Sequence, residues 1–283
     1  MDRNERMPSG AEQGGRDDPA GPRASGDGRG GVAAPRLDKR TYLEREQGRW
    51  SVVLRDYGGG LGEVGWSFVP NLKPTVKACR GESDVLALNQ DRASRRARSR
   101  LRQLILSTQA DHLLTLTYRD NICDFEQASR DLSRFVRLLR KHLPGWLYIA
   151  VPEKQKRGAW HWHLAVVGRQ DVSLLRRLWV GVVADGNIDV QQPKRGMNRR
   201  LALVKYLGKY LAKGFAEGHR ELNGHRYRAA QGIRLPVESL AVPETQRGSV
   251  EVFAVDQLKA RSGAVGFVWV DQMEMAGWAC SWK

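Results

Sequence analysis

Between residues 112 and 215 the spacing of apolar residues switches repeatedly between two and about 3.6. This alternation restricts the fold more than any other feature of the chain. In HLLTLTYRD (112–120), Leu114, Leu116 and Tyr118 alternate with Thr115 and Thr117, the pattern of a strand with one apolar face. Residues 124–143 carry Phe125, Ala128, Leu132, Phe135, Leu139 and Leu143 at helical spacing, with Asp124 as N-cap and Pro144-Gly145 beyond the end. WLYIAVPE (146–153) and AWHWHLAVVG (159–168) are expected as strands joined by the turn KQKRG. A short helix (171–180), the strand NIDVQQ (187–192) and a longer helix (197–215) closed by Gly214 or Gly218 follow. The order strand, helix, strand, strand, helix, strand, helix describes an α+β fold, an antiparallel sheet with helices on one face.

The flanks are less regular. Residues 1–40 are rich in Gly, Arg, Asp, Pro and Ala and nearly free of aromatic or branched apolar side chains, which predicts a disordered tail. That tail holds eight Lys and Arg against seven Asp and Glu. The formal net charge of +16 therefore resides almost wholly in the remainder, and such a charge favours a polyanionic partner. Residues 41–88 form an N-terminal extension in which RWSVVLRDYGGGLGEVGWSFVP reads as two strands about a Gly-rich turn. A basic helix follows over about 89–106. Arg92, Arg95, Arg96, Arg98, Arg100 and Arg102 crowd it without evident acidic partners at helical spacing, a repulsion that a DNA backbone would relieve. Residues 89–235 are expected as one domain and 236–283 as a C-terminal β extension, with SVEVFAV and AVGFVWV as strands.

Several classes are disfavoured. No run of 18 apolar residues suggests a membrane span, and the N-terminus has no secretory h-region. Cys79, Cys123 and Cys280 are odd in number and widely spaced, with no CxxC pair, so they are expected as free thiols in a reducing cytoplasm.

Three constellations carry chemistry. His161 and His163 alternate with Trp160 and Trp162 on one strand, so the two imidazoles share a face and could clamp one divalent cation, while the tryptophans face the core. Glu153 lies eight residues before His161. A turn centred on Lys156 and Arg157 would bring it beside His161 and complete a three-ligand set. YLGKYLAK (206–213) repeats one tetrad, placing Tyr206 and Tyr210 one helical turn apart, each three residues before a lysine, Lys209 or Lys213. A stripe of Leu201, Val204, Leu207, Leu211 and Phe215 would leave both tyrosines on roughly the opposite side, outside the core. A tyrosyl hydroxyl is a poor nucleophile near neutral pH, and attack on a phosphodiester needs a cation at the phosphate.

Taken together, LLTLTY, HWH and YLGKYLAK resemble the three ordered motifs of the HUH endonucleases. The resemblance is nearest to bacterial and phage replication-associated proteins of the gene A and gene II types, covers about residues 89–235, and extends to EKQKRGAWHWH and RLRQLIL. It implies a ferredoxin-like or RRM-like sheet with the histidines on a central strand. It further implies Mg²⁺ or Mn²⁺ on His161, His163 and Glu153, nicking of single-stranded or supercoiled origin DNA in a bacterial cytoplasm, a 5′-phosphotyrosine and a free 3′-OH primer. Tyr206 and Tyr210 would be the nucleophiles, assisted by Lys209 and Lys213. If only one acts, Tyr210, flanked by both lysines, is the one expected. Arg95, Arg96, Arg98, Arg100 and Arg102 would contact DNA. With no GxxxxGK[ST] loop in the sequence, unwinding is expected from a host helicase in trans. An HUH transposase or relaxase, a non-catalytic RRM-like binding module and an HxH zinc hydrolase are the competing readings. Relaxases usually present three histidines where this chain offers two and Glu153.

Overall fold

A computed structural model describes residues 48–71, 86–193, 198–216, 226–272 and 275–283. The expected disordered tail (1–40) lies outside the described residues, as do 72–85 of the N-terminal extension. In chain order the elements are β1 (Gly48–Asp56), β2 (Gly62–Pro70), α1 (Leu86–Thr108), β3 (His112–Tyr118), α2 (Phe125–His142), β4 (Tyr148–Lys154) and β5 (Trp160–Val166). There follow α3 (Val172–Val183), β6 (Gly186–Gln191), α4 (Arg199–Ala216), β7 (Arg228–Ala229), β8 (Glu238–Leu240), a 3₁₀ turn (Glu244–Ser249), α5 (Val250–Ser262), β9 (Phe267–Asp271) and β10 (Ala276–Cys280). The chain divides into two compact units. Residues 1–48 and 70–72 form one, mostly outside the described residues; residues 49–69 and 73–283 form the other and contain nearly all of both sheets.

The strands between 112 and 229 form a five-stranded sheet in the order β6-β3-β5-β4-β7, whose recorded pairs are antiparallel. The α+β class expected from the periodicities is the one observed, and β5, the HWH strand, is central and buried along its whole length. Alternation sorts its side chains. Trp160, Trp162 and Leu164 join Leu114 and Leu116 of β3 against Leu132, Phe135 and Leu139 of α2 and Trp179 of α3. The Trp162 indole N–H is satisfied by the Ala128 carbonyl at 3.0 Å. Asp124 caps α2 as expected, its carboxylate accepting from the Glu126 N–H at 2.8 Å.

The helices of the two split βαβ units, α2 and α3, thus lie on one face. The opposite face is also covered, by α1 and α4. Leu101 and Ile105 of α1 and Leu203, Leu207, Tyr210 and Leu211 of α4 pack on Leu113, Ile149, Val151 and Ala165. This corrects the expected stripe of α4. The side facing the sheet runs Leu203–Leu207–Tyr210–Leu211, and Tyr210 is only 3% exposed. Because α4 touches both the sheet and α1, a phenol on the flank of its leucine stripe is enclosed rather than solvated.

The two flanks join in a second five-stranded sheet, β8-β1-β2-β10-β9. As expected, β1 and β2 flank a Gly-rich turn, where Gly58, Gly59 and Gly60 take φ of 71°, 65° and 75°, a region that side chains with a Cβ rarely adopt. The expected C-terminal β extension needs correction at SVEVFAV, which forms the end of the 3₁₀ turn and the start of α5. Its alternation mimics a strand, but Val250, Ala254 and Leu258 recur every fourth residue and bury against Val52, Leu54, Val64 and Trp66. The helix then runs on to Gly263, which caps it with φ of 77°. AVGFVWV does supply β9.

A buried carboxylate ties the second sheet to α1. Glu63 is fully buried and accepts from the Tyr57 hydroxyl (2.9 Å), Arg102 Nε (3.0 Å), Gln103 Nε2 (3.0 Å) and the Trp278 indole (3.2 Å). The Arg102 guanidinium also lies over the Trp278 ring at 4.5 Å. Arg102, expected at DNA, is therefore committed to the interior. No helix among the described residues is long and apolar enough to cross a membrane.

Candidate active site

The face of the sheet beneath α4 collects the chemistry. His161 and His163 both point to this face because strand side chains alternate. The hairpin register sets Glu153 opposite His161, as the turn position predicted. On the other flank of β5, Thr115 of β3 stands opposite His163.

His163 is the hub. Its Nε2 lies 2.8 Å from Glu153 Oε2 and its Nδ1 3.2 Å from Thr115 Oγ1. Its ring stacks on Tyr210, with centroids 4.3 Å apart and planes 14° apart, and meets Tyr206 edge-on at 5.7 Å. The Tyr210 hydroxyl donates to the Tyr206 oxygen at 3.1 Å. Of the two phenols Tyr206 is the more open, being half-buried where Tyr210 is enclosed.

Two lysines follow different courses. Lys213 donates to Glu153 Oε1 at 3.2 Å and to the Lys154 carbonyl at 3.3 Å. Lys209 is exposed, with its ammonium 5.7 Å from the centre of the Tyr210 ring. Burial would raise the Glu153 carboxyl, but the hydrogen bond and charge of His163, with those of Lys213, outweigh it and hold the group below the usual carboxylate range. Burial, reinforced by neighbouring His163, drives His161 down to about 4, so this imidazole is neutral near pH 7.

Whether these residues suit a divalent cation can be tested on their donors. Among the described residues no three His, Cys, Asp or Glu side chains stand arranged as a metal-holding group. Glu153 Oε2 and His163 Nε2 are bonded to each other instead. The donor types nevertheless fit, since two imidazoles and a carboxylate are ligands of such ions. His161 Nε2 is a buried ring nitrogen with no hydrogen-bond partner, an arrangement that costs free energy unless something accepts its lone pair or proton.

Sequence reasoning brought together Glu153, His161, His163, Tyr206, Tyr210 and Lys213, and the fold does the same. It missed Thr115, although the signal was present: a threonine on the polar side of LLTLTY, on the strand next to HWH. The arginines of α1 disperse. Arg95 pairs with Asp91 one turn earlier at 2.7 Å, an acidic partner at helical spacing that corrects the reading of an unpaired row. Arg100 hydrogen-bonds Tyr227, Arg102 holds Glu63, and Arg96 and Arg98 are exposed.

Residues 111–215 match the replication-associated protein family described by ORF2 and the gene II protein. The matched span includes Thr115, Glu153, both histidines, both tyrosines and both lysines, and it supports a role as a replication initiator protein. The crystal structure of the hypothetical protein ORF119 from Sulfolobus islandicus rod-shaped virus 1 is similar over 40% of this chain and 91% of that one, at 13% identity and a TM-score of 0.30. No curated protein sequence matches the chain.

Proposed function

We propose that this chain initiates rolling-circle replication by nicking one DNA strand and holding the cut end on a tyrosine. The observation that carries the reading is the gathering of Tyr206, Tyr210, His163, Glu153 and Lys213 into one cluster within the replication-associated span. In the reaction, the Tyr206 oxygen loses its proton and attacks the scissile phosphorus. A Tyr–O–P bond forms, the P–O3′ bond breaks, and the leaving oxygen takes a proton to become a free 3′-OH. The Tyr210 hydroxyl, already aimed at the Tyr206 oxygen, stabilises the phenolate. Lys209 lies close enough to serve as a counter-charge to the incoming phosphate. The phosphotyrosine stores the bond energy, so the 3′-OH of the same or another strand can reverse the step.

His161, His163 and Glu153 would hold a Mg²⁺ or Mn²⁺ ion once Glu153 exchanges its hydrogen bond with His163 for ligation. Such an ion would supply polarisation of the scissile phosphate. Strand unwinding would fall to a host helicase. The test is cleavage of labelled single-stranded origin DNA by the whole protein, with Mn²⁺ and with EDTA. Metal-dependent cutting that leaves a 3′-OH is expected.

The closed Glu153–His163–Lys213 network favours one second reading, a nucleic-acid-binding module that does not cut. Binding of the DNA without cleavage under any divalent cation would select it.

A further inference from the structure

The side of α2 turned away from the sheet carries Arg130, Arg134 and Arg137, and Lys141 continues the row. These positions fall within about 60° of one another at 100° per residue and run for about 16 Å along the axis. Beside them lies a cleft of about 510 Å³ lined by Ser129, Arg130, Ser133, Arg134, Arg137 and Arg228, with Glu126 at its rim. Arg228 arrives from β7, a different element. It is held by the Ser129 carbonyl (3.1 Å), the Ser133 hydroxyl (2.6 Å) and the Ser129 hydroxyl, and its guanidinium lies 6.0 Å from the centre of the Trp162 ring.

Four guanidinium groups against one carboxylate leave the cleft with three positive charges in excess. Arg130 is partly neutralised by Glu126 (3.4 Å) and Asp124 (3.7 Å). Arg134 and Arg137 are exposed and form no ion pair among the described residues. A row of like charges on one helix face repels itself, and a polyanion lying along it relieves the repulsion. The serine hydroxyls beside Arg228 add neutral donors of the kind that contact phosphate oxygens.

We propose that the outer face of α2, with Arg228, is a second DNA-backbone site, on the face of the sheet opposite Tyr206 and Tyr210. It deepens the nickase reading, because DNA held there would remain attached while the cut end sits on the tyrosine. It stands apart from that reading in its chemistry, which needs only phosphate contacts and no cleavage.

The experiment measures binding of the whole protein to a random-sequence 25-base-pair duplex by fluorescence anisotropy between 50 and 300 mM NaCl. Wild type is compared with Arg134→Gln/Arg137→Gln and with Arg247→Gln/Lys259→Gln, which removes the same charge from the C-terminal segment. Loss of two phosphate contacts should reduce the slope of log K against log [salt] by about 1.8 in the α2 variant. The C-terminal variant should keep the wild-type slope. An α2 variant with the wild-type slope, or a wild type that binds no duplex, overturns the proposal. A wild-type DNA slope with lost sedimentation on phosphatidylserine vesicles would overturn it in favour of a membrane surface. A wild type that shows the slope change yet never cuts DNA would leave this site standing and remove the nickase reading alone.

Discussion

The imidazole of His163 lies flat on the phenol of Tyr210, with ring centroids 4.3 Å apart and planes 14° apart. One contact thereby joins the HWH strand to the repeated tyrosine motif, and it fixes which phenol is enclosed and which is open. Tyr210 is the packed member and hydrogen-bond donor, and Tyr206 is the acceptor nearer solvent.

That division of labour predicts different outcomes for two similar variants. Tyr206→Phe should abolish the covalent product. Tyr210→Phe keeps the stacked ring but removes one donor to the developing phenolate, and should slow nicking by about 10²-fold. Single-turnover cleavage rates decide the matter; a Tyr206→Phe protein that forms adduct at the wild-type rate would reverse the assignment.

Thr115→Val preserves volume but removes the hydroxyl beside His163 Nδ1. Outer-shell partners of this kind typically contribute roughly 10- to 100-fold in metal affinity or activity. Titration with Mn²⁺, followed by calorimetry, should show affinity reduced within that range while the urea midpoint shifts little. Unchanged affinity would make the contact incidental.

Glu63→Ala leaves the Arg102 guanidinium beside three orphaned donors in a closed interior. Removing one partner of a buried pair costs about 3–5 kcal/mol. Urea denaturation should register a loss of that size. A loss below about 1 kcal/mol would mean that the two sheets do not depend on this carboxylate.

Asp111 supplies a pH dependence with a definite sign. Burial pushes its carboxyl up, but the hydrogen bonds from His112 (2.9 Å) and the Gly168 N–H (2.6 Å), together with nearby charge, hold it below the usual range. A depressed folded-state value means the stabilisation is complete above the unfolded value, near 4, and is lost as pH falls through the folded one. Asp111→Asn should therefore cost about 1–3 kcal/mol at pH 7, and the difference from wild type should shrink as pH drops below about 4. A difference independent of pH would assign the effect to packing.

Much of this was legible in the sequence because it is local. Alternation on β5 fixed which face His161 and His163 share, and turn length fixed the Glu153 register. Strand-like spacing misled at 249–255, where a helix of Val250, Ala254 and Leu258 satisfies the same apolar residues once it can bury them on β1 and β2. Non-local facts were out of reach. The burial of Tyr210 depends on α4 touching both the sheet and α1, and the commitment of Arg102 to Glu63 joins residues 39 apart in sequence. Helical periodicity alone assigned both side chains to solvent or DNA.

The most direct test is to denature the protein after reaction with 5′-labelled and internally labelled origin strands and Mn²⁺, digest it, and locate any nucleotide-bearing peptide by mass spectrometry. A 5′-phosphate-linked oligonucleotide on Tyr206 is the predicted result. Cleavage with every label released as free DNA, or no cleavage at all, would contradict the covalent mechanism.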